Sequence, residues 1–344
     1  MAPVYRIAVI QLHVKPLQPA RNFATAARFI RNAAAQGCHL AVLPEFHLTN
    51  WLPTDPHFEA ACASWETYLE SYKILARELS ISCFISSDGT VLGSYVKKNL
   101  WGPTEREFLS SGHPTLNQAF DTPLGKVGLL ICWDLAFPEA WRELIAGGAK
   151  IIIVPTLWTR SGASAQGLKW NPSAPALFLD SVLTARTYEN TCAVVFSNAG
   201  GRPGGDYIGL SQVTVPYVGP LCRLGSAAEG MAVAELDMQI LEDAEQNYAI
   251  RADLERGGPL EGYRSNTSRD KIDVMWMSLS SYTFHLTVIA LEVFRRLSQP
   301  SPHSSHFLSY KTRINLLTNT SADLQAFVYL LLVAVLLSLL WPFG

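Results

Sequence analysis

The chain has 344 residues, of which 49% are hydrophobic and 16% charged, and its net charge is −2. A rich apolar content with little net charge excludes an intrinsically disordered protein. It also argues against a nucleic-acid-binding protein, because there is no basic excess to neutralise phosphates. A large globular core, a membrane segment or both remain open.

Segments typical of strands and helices alternate along most of the chain. In chain order the sequence predicts a strand at 6–12, a helix at 22–35, a strand at 39–43, a helix at 58–79, strands at 81–86, 90–96 and 127–131, a helix at 138–146, a strand at 151–154, a helix at 176–189, and strands at 192–197 and 231–236. Continuous apolar strands between helices predict an α/β fold with buried sheets.

The alternation weakens after Gly257-Gly258-Pro259, and residues 297–306 have the composition of a linker. The sequence therefore predicts a domain over residues 1–258, an extension and linker over 259–323, and a separate apolar segment over 324–341.

That last segment reads LQAFVYLLLVAVLLSLLW and contains no charged residue. As a helix it would span roughly 27 Å at about 1.5 Å per residue, close to the ~30 Å hydrocarbon core of a bilayer. With Lys311 and Arg313 upstream, it predicts a membrane tail anchor on a cytosol-facing protein. The alternatives are a helix buried at a subunit interface and a soluble cytoplasmic protein. The N-terminus lacks a signal-peptide pattern, which favours an intracellular location.

The motifs of several common enzyme classes are absent from the sequence. The six cysteines are Cys38, Cys62, Cys83, Cys132, Cys192 and Cys222, and no pair has the close spacing of a zinc site. Nucleotide-binding glycine motifs, HExxH and the GxSxG elbow of serine hydrolases are missing as well. We therefore expect neither a metal nor an organic cofactor.

Three polar residues stand where apolar strands end, namely Glu45, Lys97 and Cys132. Cys132 occupies a predicted strand-to-helix turn before Pro138, where a thiol is exposed and nearby N–H groups can stabilise a thiolate. A thiol needs a base to attack at neutral pH, and Glu45 is a candidate for that base. Taken singly, each residue also fits an ordinary role, either in the core or in solvent.

Three motifs around these residues, VLPEF at 42–46, YVKKNLW at 95–101 and GLLICWDLAFPEAWR at 128–142, together resemble the nitrilase, or carbon–nitrogen hydrolase, superfamily. RIAVIQL at 6–12 and ARTYEN at 185–190 extend the resemblance, which covers roughly residues 4–258. It implies a four-layer αββα sandwich that forms a homodimer or a higher homo-oligomer. It also implies a catalytic triad, in this chain order, of Glu45, Lys97 and Cys132.

The resemblance further implies a role for each site residue. Glu45 would act as general base, Cys132 as the nucleophile that forms a thioester, and Lys97 with the backbone N–H of Trp133 as the oxyanion stabilisers. Glu105 would support Lys97. Of the two adjacent lysines, Lys97 fits the family pattern Tyr-x-Lys-x-x-Leu, and strand alternation admits only one of them to the pocket.

The substrate is less well defined by the motifs. Cys132-Trp133-Asp134, followed by Phe137-Pro138-Glu139, is similar to the amidase and N-carbamoyl amidase branches rather than to true nitrilases. We therefore expect a small-molecule amide or carbamoyl substrate. Nitrile hydrolysis, acyl transfer through the same thioester and a non-catalytic binding role remain alternatives. The candidates for the substrate pocket are Trp158, Phe137 and Asn198, although the two aromatic residues could instead simply pack.

Overall fold

The structure is a computed structural model that describes residues 2–79, 85–112 and 117–256. Within these residues no helix is both long and apolar enough to cross a bilayer. The predicted extension at 259–323 and the predicted tail anchor at 324–341 lie outside the described residues, so both stay predictions. The expected homodimer also stays a prediction.

The described elements, in chain order, are β1 (Val4–Gln11), α1 (Pro19–Ala35), β2 (Leu40–Val42), α2 (Phe58–Ala63), α3 (Trp65–Leu79), α4 (Gly102–Phe108), β3 (Phe120–Thr122), β4 (Gly125–Leu129), α5 (Pro138–Ala146), β5 (Ile151–Thr156), α6 (Ala165–Trp170), α7 (Ala174–Asn190), β6 (Ala193–Asn198), β7 (Gln212–Val215), β8 (Gly219–Arg223), β9 (Gly230–Asp237), α8 (Gln239–Tyr248) and α9 (Ile250–Arg256). Within the described part of the chain the strands form one sheet in the order β2-β1-β9 and another in the order β3-β4-β5-β6-β7-β8. Pairing is parallel for β1 with β2 and along β4, β5 and β6, and antiparallel elsewhere.

Side-chain alternation along the strands divides the apolar residues among three buried cores. On β1, Ile7 and Val9 face the second sheet and share a core with Ile151 and Ile153 of β5. The intervening residue Ala8 faces α1 and α3. The outer face of β5 packs in the same way against α5 and α7. Because successive strand side chains point to opposite faces, one apolar strand supplies two cores. The result is a helix–sheet–sheet–helix stack, which confirms the expected four-layer αββα sandwich.

Most of the predicted elements are present, and the differences have local causes. The helix predicted over 58–79 is interrupted at Ser64, between α2 and α3. Among the described residues of the strand predicted over 90–96, only Val91 pairs, in an isolated bridge with Ile85, so that strand is wrong. Next to this region the backbone hydrogen-bonds outside any strand: the Lys97 carbonyl accepts a hydrogen bond from the N–H of Gly112. The neighbouring strand predicted over 81–86 lies mostly outside the described residues and stays a prediction.

The two sheets bring their candidate residues together at one end of the sandwich. Glu45 follows β2 of the first sheet, and Cys132 follows β4 of the second. The Ser197 hydroxyl of β6 lies within hydrogen-bonding distance of the carbonyls of Ile10 (2.8 Å) and Val42 (3.1 Å). This buried side chain therefore ties the ends of β1 and β2 to the larger sheet and sets the distance between the two candidate residues.

Candidate active site

Cys132 begins a short 3₁₀ helix, Cys132–Ala136, which is separated from the end of β4 by Leu130 and Ile131. Its φ of 48° lies in the left-handed region, which is uncommon for a residue with a side chain. The residue is only 7% exposed, so the expectation of an exposed thiol is wrong. The tight turn directs the thiol inward, where it lines a cavity and its Sγ lies 3.8 Å from the Leu157 carbonyl.

Lys97 forms two ion pairs with carboxylates that lie in separate parts of the chain. Its Nζ is 3.0 Å from Oε1 of Glu45 and 2.7 Å from Oε1 of Glu105. All three side chains are less than a tenth exposed. Lys98 points elsewhere and pairs with Glu143 at 2.6 Å. Backbone geometry thus separates the two adjacent lysines, and only Lys97 joins the candidate site.

Backbone N–H groups hold both carboxylates in place. The second oxygen of Glu45 accepts from the N–H of Leu157 at 3.1 Å, and the second oxygen of Glu105 accepts from the N–H of Trp101 at 2.7 Å. Each carboxylate therefore has one ammonium partner and one backbone partner. Charge-assisted bonds of this kind fix the orientation of the side chains before any substrate arrives.

Burial controls the electrostatics of the cluster. Burial raises the pKa of Glu45, with a further rise from the charge of Glu105, although Lys97 opposes both. Burial and the neighbouring Glu45 raise the pKa of Cys132 well above that of a free thiol. Burial by itself would lower the pKa of Lys97. The opposite effect of its neighbours Cys132, Glu45 and Glu105 is larger, so the pKa of Lys97 is raised.

The expected ground state is therefore a neutral thiol beside a charged lysine. The Cys132 thiol and the Glu45 carboxylate line the same cavity, and their interaction lowers the pKa of Glu45 slightly against the effect of burial. Because its pKa is raised, Glu45 is a stronger proton acceptor than a solvated glutamate. The arrangement can move a proton from sulfur to a carboxylate without changing the net charge of the cluster.

Asp134 connects the segment that carries Lys97 to the turn that carries Cys132. Its carboxylate is fully buried and accepts hydrogen bonds from the N–H of Ile131, the Tyr95 hydroxyl, and both the backbone N–H and the side-chain amide of Asn99. These contacts give Asp134 a structural role.

The cavity in front of Cys132 measures about 80 Å³. Its lining residues are Glu45, Phe46, Trp51, Trp101, Glu105, Cys132, Trp133, Leu157, Trp158, Thr159 and Gly162. The sequence-predicted Trp133 and Trp158 belong to this lining. Phe137 and Asn198, which the sequence also suggested for the pocket, do not.

Both of these residues support the lining from outside it. The Phe137 ring packs against the ring of Trp133, with their centroids 6.1 Å apart, and belongs to the core under the helices. The buried Asn198 side chain accepts from the N–H of Trp158 at 2.8 Å and donates to the Gly209 carbonyl. Asn198 thereby orients the loop that presents Trp158.

Sequence reasoning missed several lining residues, above all the aromatic side chains of Phe46, Trp51 and Trp101. Phe46 directly follows the candidate base, and Trp101 lies four positions before Glu105, so their closeness to motif residues was a usable signal. Trp51 lies outside the three motifs and had no such signal. Across residues 2–79, 85–112 and 117–256, no group of three or more His, Cys, Asp or Glu side chains is arranged to bind a metal ion.

A family model described as carbon-nitrogen hydrolase matches residues 6–86 and 82–246 of the chain. The chain belongs to the carbon–nitrogen hydrolase family. As a member of the nitrilase superfamily it is a hydrolase that acts on carbon–nitrogen bonds other than peptide bonds, and its sandwich is the nitrilase-like fold.

Several individual proteins are similar to this chain over most of their own length. The deaminated glutathione amidase of Bos taurus is 28% identical over 279 residues, which are 71% of this chain and 80% of that protein. The nitrilase of Pyrococcus abyssi is 27% identical over 261 residues, which are 70% and 93% of the two chains. A mutant of the amidase from Nesterenkonia sp. AN1 is 25% identical with a TM-score of 0.58, covering 72% of this chain and 98% of that one. It carries the acetamide moiety of fluoroacetamide covalently added at its active-site cysteine.

Proposed function

We propose that this carbon–nitrogen hydrolase cleaves an amide or N-carbamoyl bond of a small molecule through a thioester on Cys132. The observation that carries the proposal is the Lys97 ammonium held between Glu45 and Glu105, two carboxylates that line the same cavity as the Cys132 thiol. These are a nucleophile, a base and a cation for the developing oxyanion, three groups that acyl transfer from an amide requires.

In the first step Glu45 accepts the thiol proton, and the thiolate sulfur attacks the amide carbon. The carbonyl π electrons move to oxygen, and the Lys97 ammonium stabilises the resulting oxyanion. The backbone N–H of Trp133 is the second proposed donor, because the first N–H groups of a helix lack intrahelical acceptors. Both donors flank Cys132 on elements that Asp134 holds together.

Collapse of the tetrahedral intermediate breaks the carbon–nitrogen bond, and Glu45 donates its proton to the departing nitrogen. Ammonia or an amine leaves, and the acyl group remains on sulfur. Water then attacks the thioester while Glu45 accepts one of its protons, and the carbon–sulfur bond breaks as Glu45 returns that proton to the departing sulfur. The products are a carboxylic acid and the regenerated thiol, so one residue serves as base and as acid in turn.

The amidase from Nesterenkonia supports the thiol step by analogy, because its active-site cysteine forms a covalent adduct. The alternatives use the same thioester. A nitrile would enter at the first step, and an amine acceptor in place of water would make the enzyme an acyltransferase.

The decisive experiment compares wild type, Cys132→Ala and, as a matched cysteine control, Cys222→Ala. Ammonia release is measured on primary amides, N-carbamoyl compounds and the corresponding nitriles, with intact-mass detection of the acyl-enzyme. We expect turnover and an acyl adduct in wild type and Cys222→Ala, and neither in Cys132→Ala. Equal turnover in wild type and Cys132→Ala would remove the thioester mechanism. An added amine that diverts the acyl group from acid to amide would indicate the acyltransferase alternative.

A further inference from the structure

Aromatic rings form much of the wall of the cavity in front of Cys132. Phe46 and Trp51 pack against each other with ring centroids 4.9 Å apart, and Trp133 and Trp158 do so at 5.5 Å. Trp101 adds a fifth ring and is 36% exposed, so it extends from the lining to the solvent. The non-reacting part of a bound substrate therefore meets mostly flat apolar surface.

These rings are held by contacts outside the cavity. The Phe178 ring stacks on Trp158 at 5.4 Å and on Trp133 at 6.4 Å. Trp51 packs edge-on against Phe58 at 5.5 Å. Because Trp51, Trp133 and Trp158 have ring partners outside the lining, this part of the wall is formed before the substrate binds, as is usual for small-molecule pockets.

The charged groups of the cavity have the wrong sign for an anionic ligand. Glu45 and Glu105 line it, and Lys97, which contacts both, supplies one positive charge against two negative ones. Among the lining residues that the structure describes there is no arginine, histidine or lysine. Arg160 is the nearest cation along the loop after β5, but it is exposed and lines a neighbouring cleft.

We propose that the acyl group of the substrate is uncharged and apolar, and that the cavity discriminates against an acyl group ending in a carboxylate. The inference rests on the proposed amide hydrolysis and specifies its substrate class. A carboxylate placed between the aromatic rings would lose its hydration without gaining a cation from the lining residues in exchange, which is unfavourable. It would also face the negative charges of Glu45 and Glu105.

Three amide substrates of equal size distinguish the effect of a negative charge at the end of the acyl group from the effect of a polar but neutral end. 4-Methylpentanamide ends in an isopropyl group, succinamide in a neutral amide and succinamate in a carboxylate, and all three have the same number of non-hydrogen atoms. We expect kcat/KM of the wild-type enzyme at neutral pH to be at least about 100-fold higher for 4-methylpentanamide than for succinamate, with succinamide between them. Equal or faster turnover of succinamate would overturn the inference, and this comparison needs no variant.

A cation introduced into the lining provides a second test. Thr159 lines the cavity, and its hydroxyl lies 3.1 Å from the Ser161 hydroxyl. In Thr159→Lys we expect the ratio of 4-methylpentanamide to succinamate turnover to fall at least about tenfold. The matched variant Thr159→Leu has no charge and should not lower the ratio. An unchanged ratio in Thr159→Lys would contradict the electrostatic origin of the discrimination.

Intact-mass analysis distinguishes failure of this inference from failure of the proposed function. A Cys132-dependent acyl adduct that forms at least as fast with succinamate as with 4-methylpentanamide overturns only the substrate class. The absence of any Cys132-dependent adduct or turnover with these three amides and with the primary amides and N-carbamoyl compounds of the first experiment overturns the proposed function, and the substrate class with it.

Discussion

The Asp134 carboxylate accepts two hydrogen bonds from Asn99, one from the backbone N–H and one from the side-chain amide, and each is 2.9 Å long. Asp134 lies two residues after Cys132, and Asn99 lies two residues after Lys97. The pair therefore fixes the distance between the proposed nucleophile and the proposed oxyanion-stabilising ammonium. Neither residue lines the cavity, so both act by positioning others.

The first prediction concerns this connection. In Asp134→Asn one carboxylate oxygen becomes an NH₂ group that faces hydrogen-bond donors, so the link to the Lys97 segment weakens. We expect kcat to fall about 100-fold with a much smaller change in KM, because positioning affects the transition state most. Loss of buried hydrogen bonds should also lower the free energy of unfolding by about 2 kcal/mol. Steady-state kinetics and urea denaturation measure both. A KM effect with unchanged kcat would contradict the positioning role.

The second prediction uses the two adjacent lysines as a matched pair. Lys97→Met removes the cation between Glu45 and Glu105, and we expect kcat to fall about 1,000-fold, as for the loss of an oxyanion donor. Lys98→Met removes only the ion pair with Glu143 and should change kcat less than about fivefold. Ammonia release by the two purified variants tests this contrast. Similar losses in both would show that the chemistry does not depend on Lys97 in particular.

The third prediction concerns the pH dependence of kcat/KM. Glu45 must be ionised to accept the thiol proton, so activity should rise with pH through its pKa. Burial raises that pKa, which places the acid limb above the ~4.3 of an ordinary glutamate. The charge of Glu105 raises it further, and Glu105→Gln should therefore move the acid limb to lower pH. A limb that stays in place or moves to higher pH in Glu105→Gln would contradict this coupling.

The fourth prediction concerns stability rather than catalysis. His47 lies two residues after Glu45; its Nδ1 donates to the Pro44 carbonyl, since a carbonyl can only accept, and its Nε2 accepts from the Tyr72 hydroxyl. Burial lowers the pKa of His47 to about 4, below the ~6.5 of an unfolded chain.

Between these two values the unfolded state binds a proton that the folded state does not, so stability falls as the pH drops from 6.5 towards 4. We expect wild type to lose about 2 kcal/mol more than His47→Gln over this window, measured by urea denaturation at pH 7 and pH 4.5. Equal losses in the two proteins would show that His47 is not the titrating group.

The main strands and helices of the sandwich could be predicted from the sequence, because each depends on the local periodicity of its apolar residues. Apolar runs such as residues 151–154 predict buried strands, and the Pro138 start and Gly147 stop define α5 without reference to other elements. Short edge elements such as β3 and β8 were missed. Three to five residues carry too little periodicity, and their pairing comes from neighbouring strands.

By itself the sequence determined the chemical groups of the site and their order, because Glu45, Lys97 and Cys132 follow strand ends in recognisable motifs. Only the tertiary structure decided how they meet. The partner carboxylates of Lys97 are 52 and 8 residues away along the chain, and the rings around Cys132 come from separate loops. These contacts depend on how two sheets stack. The packing of cores fixes this stacking over long chain separations, which no local pattern encodes.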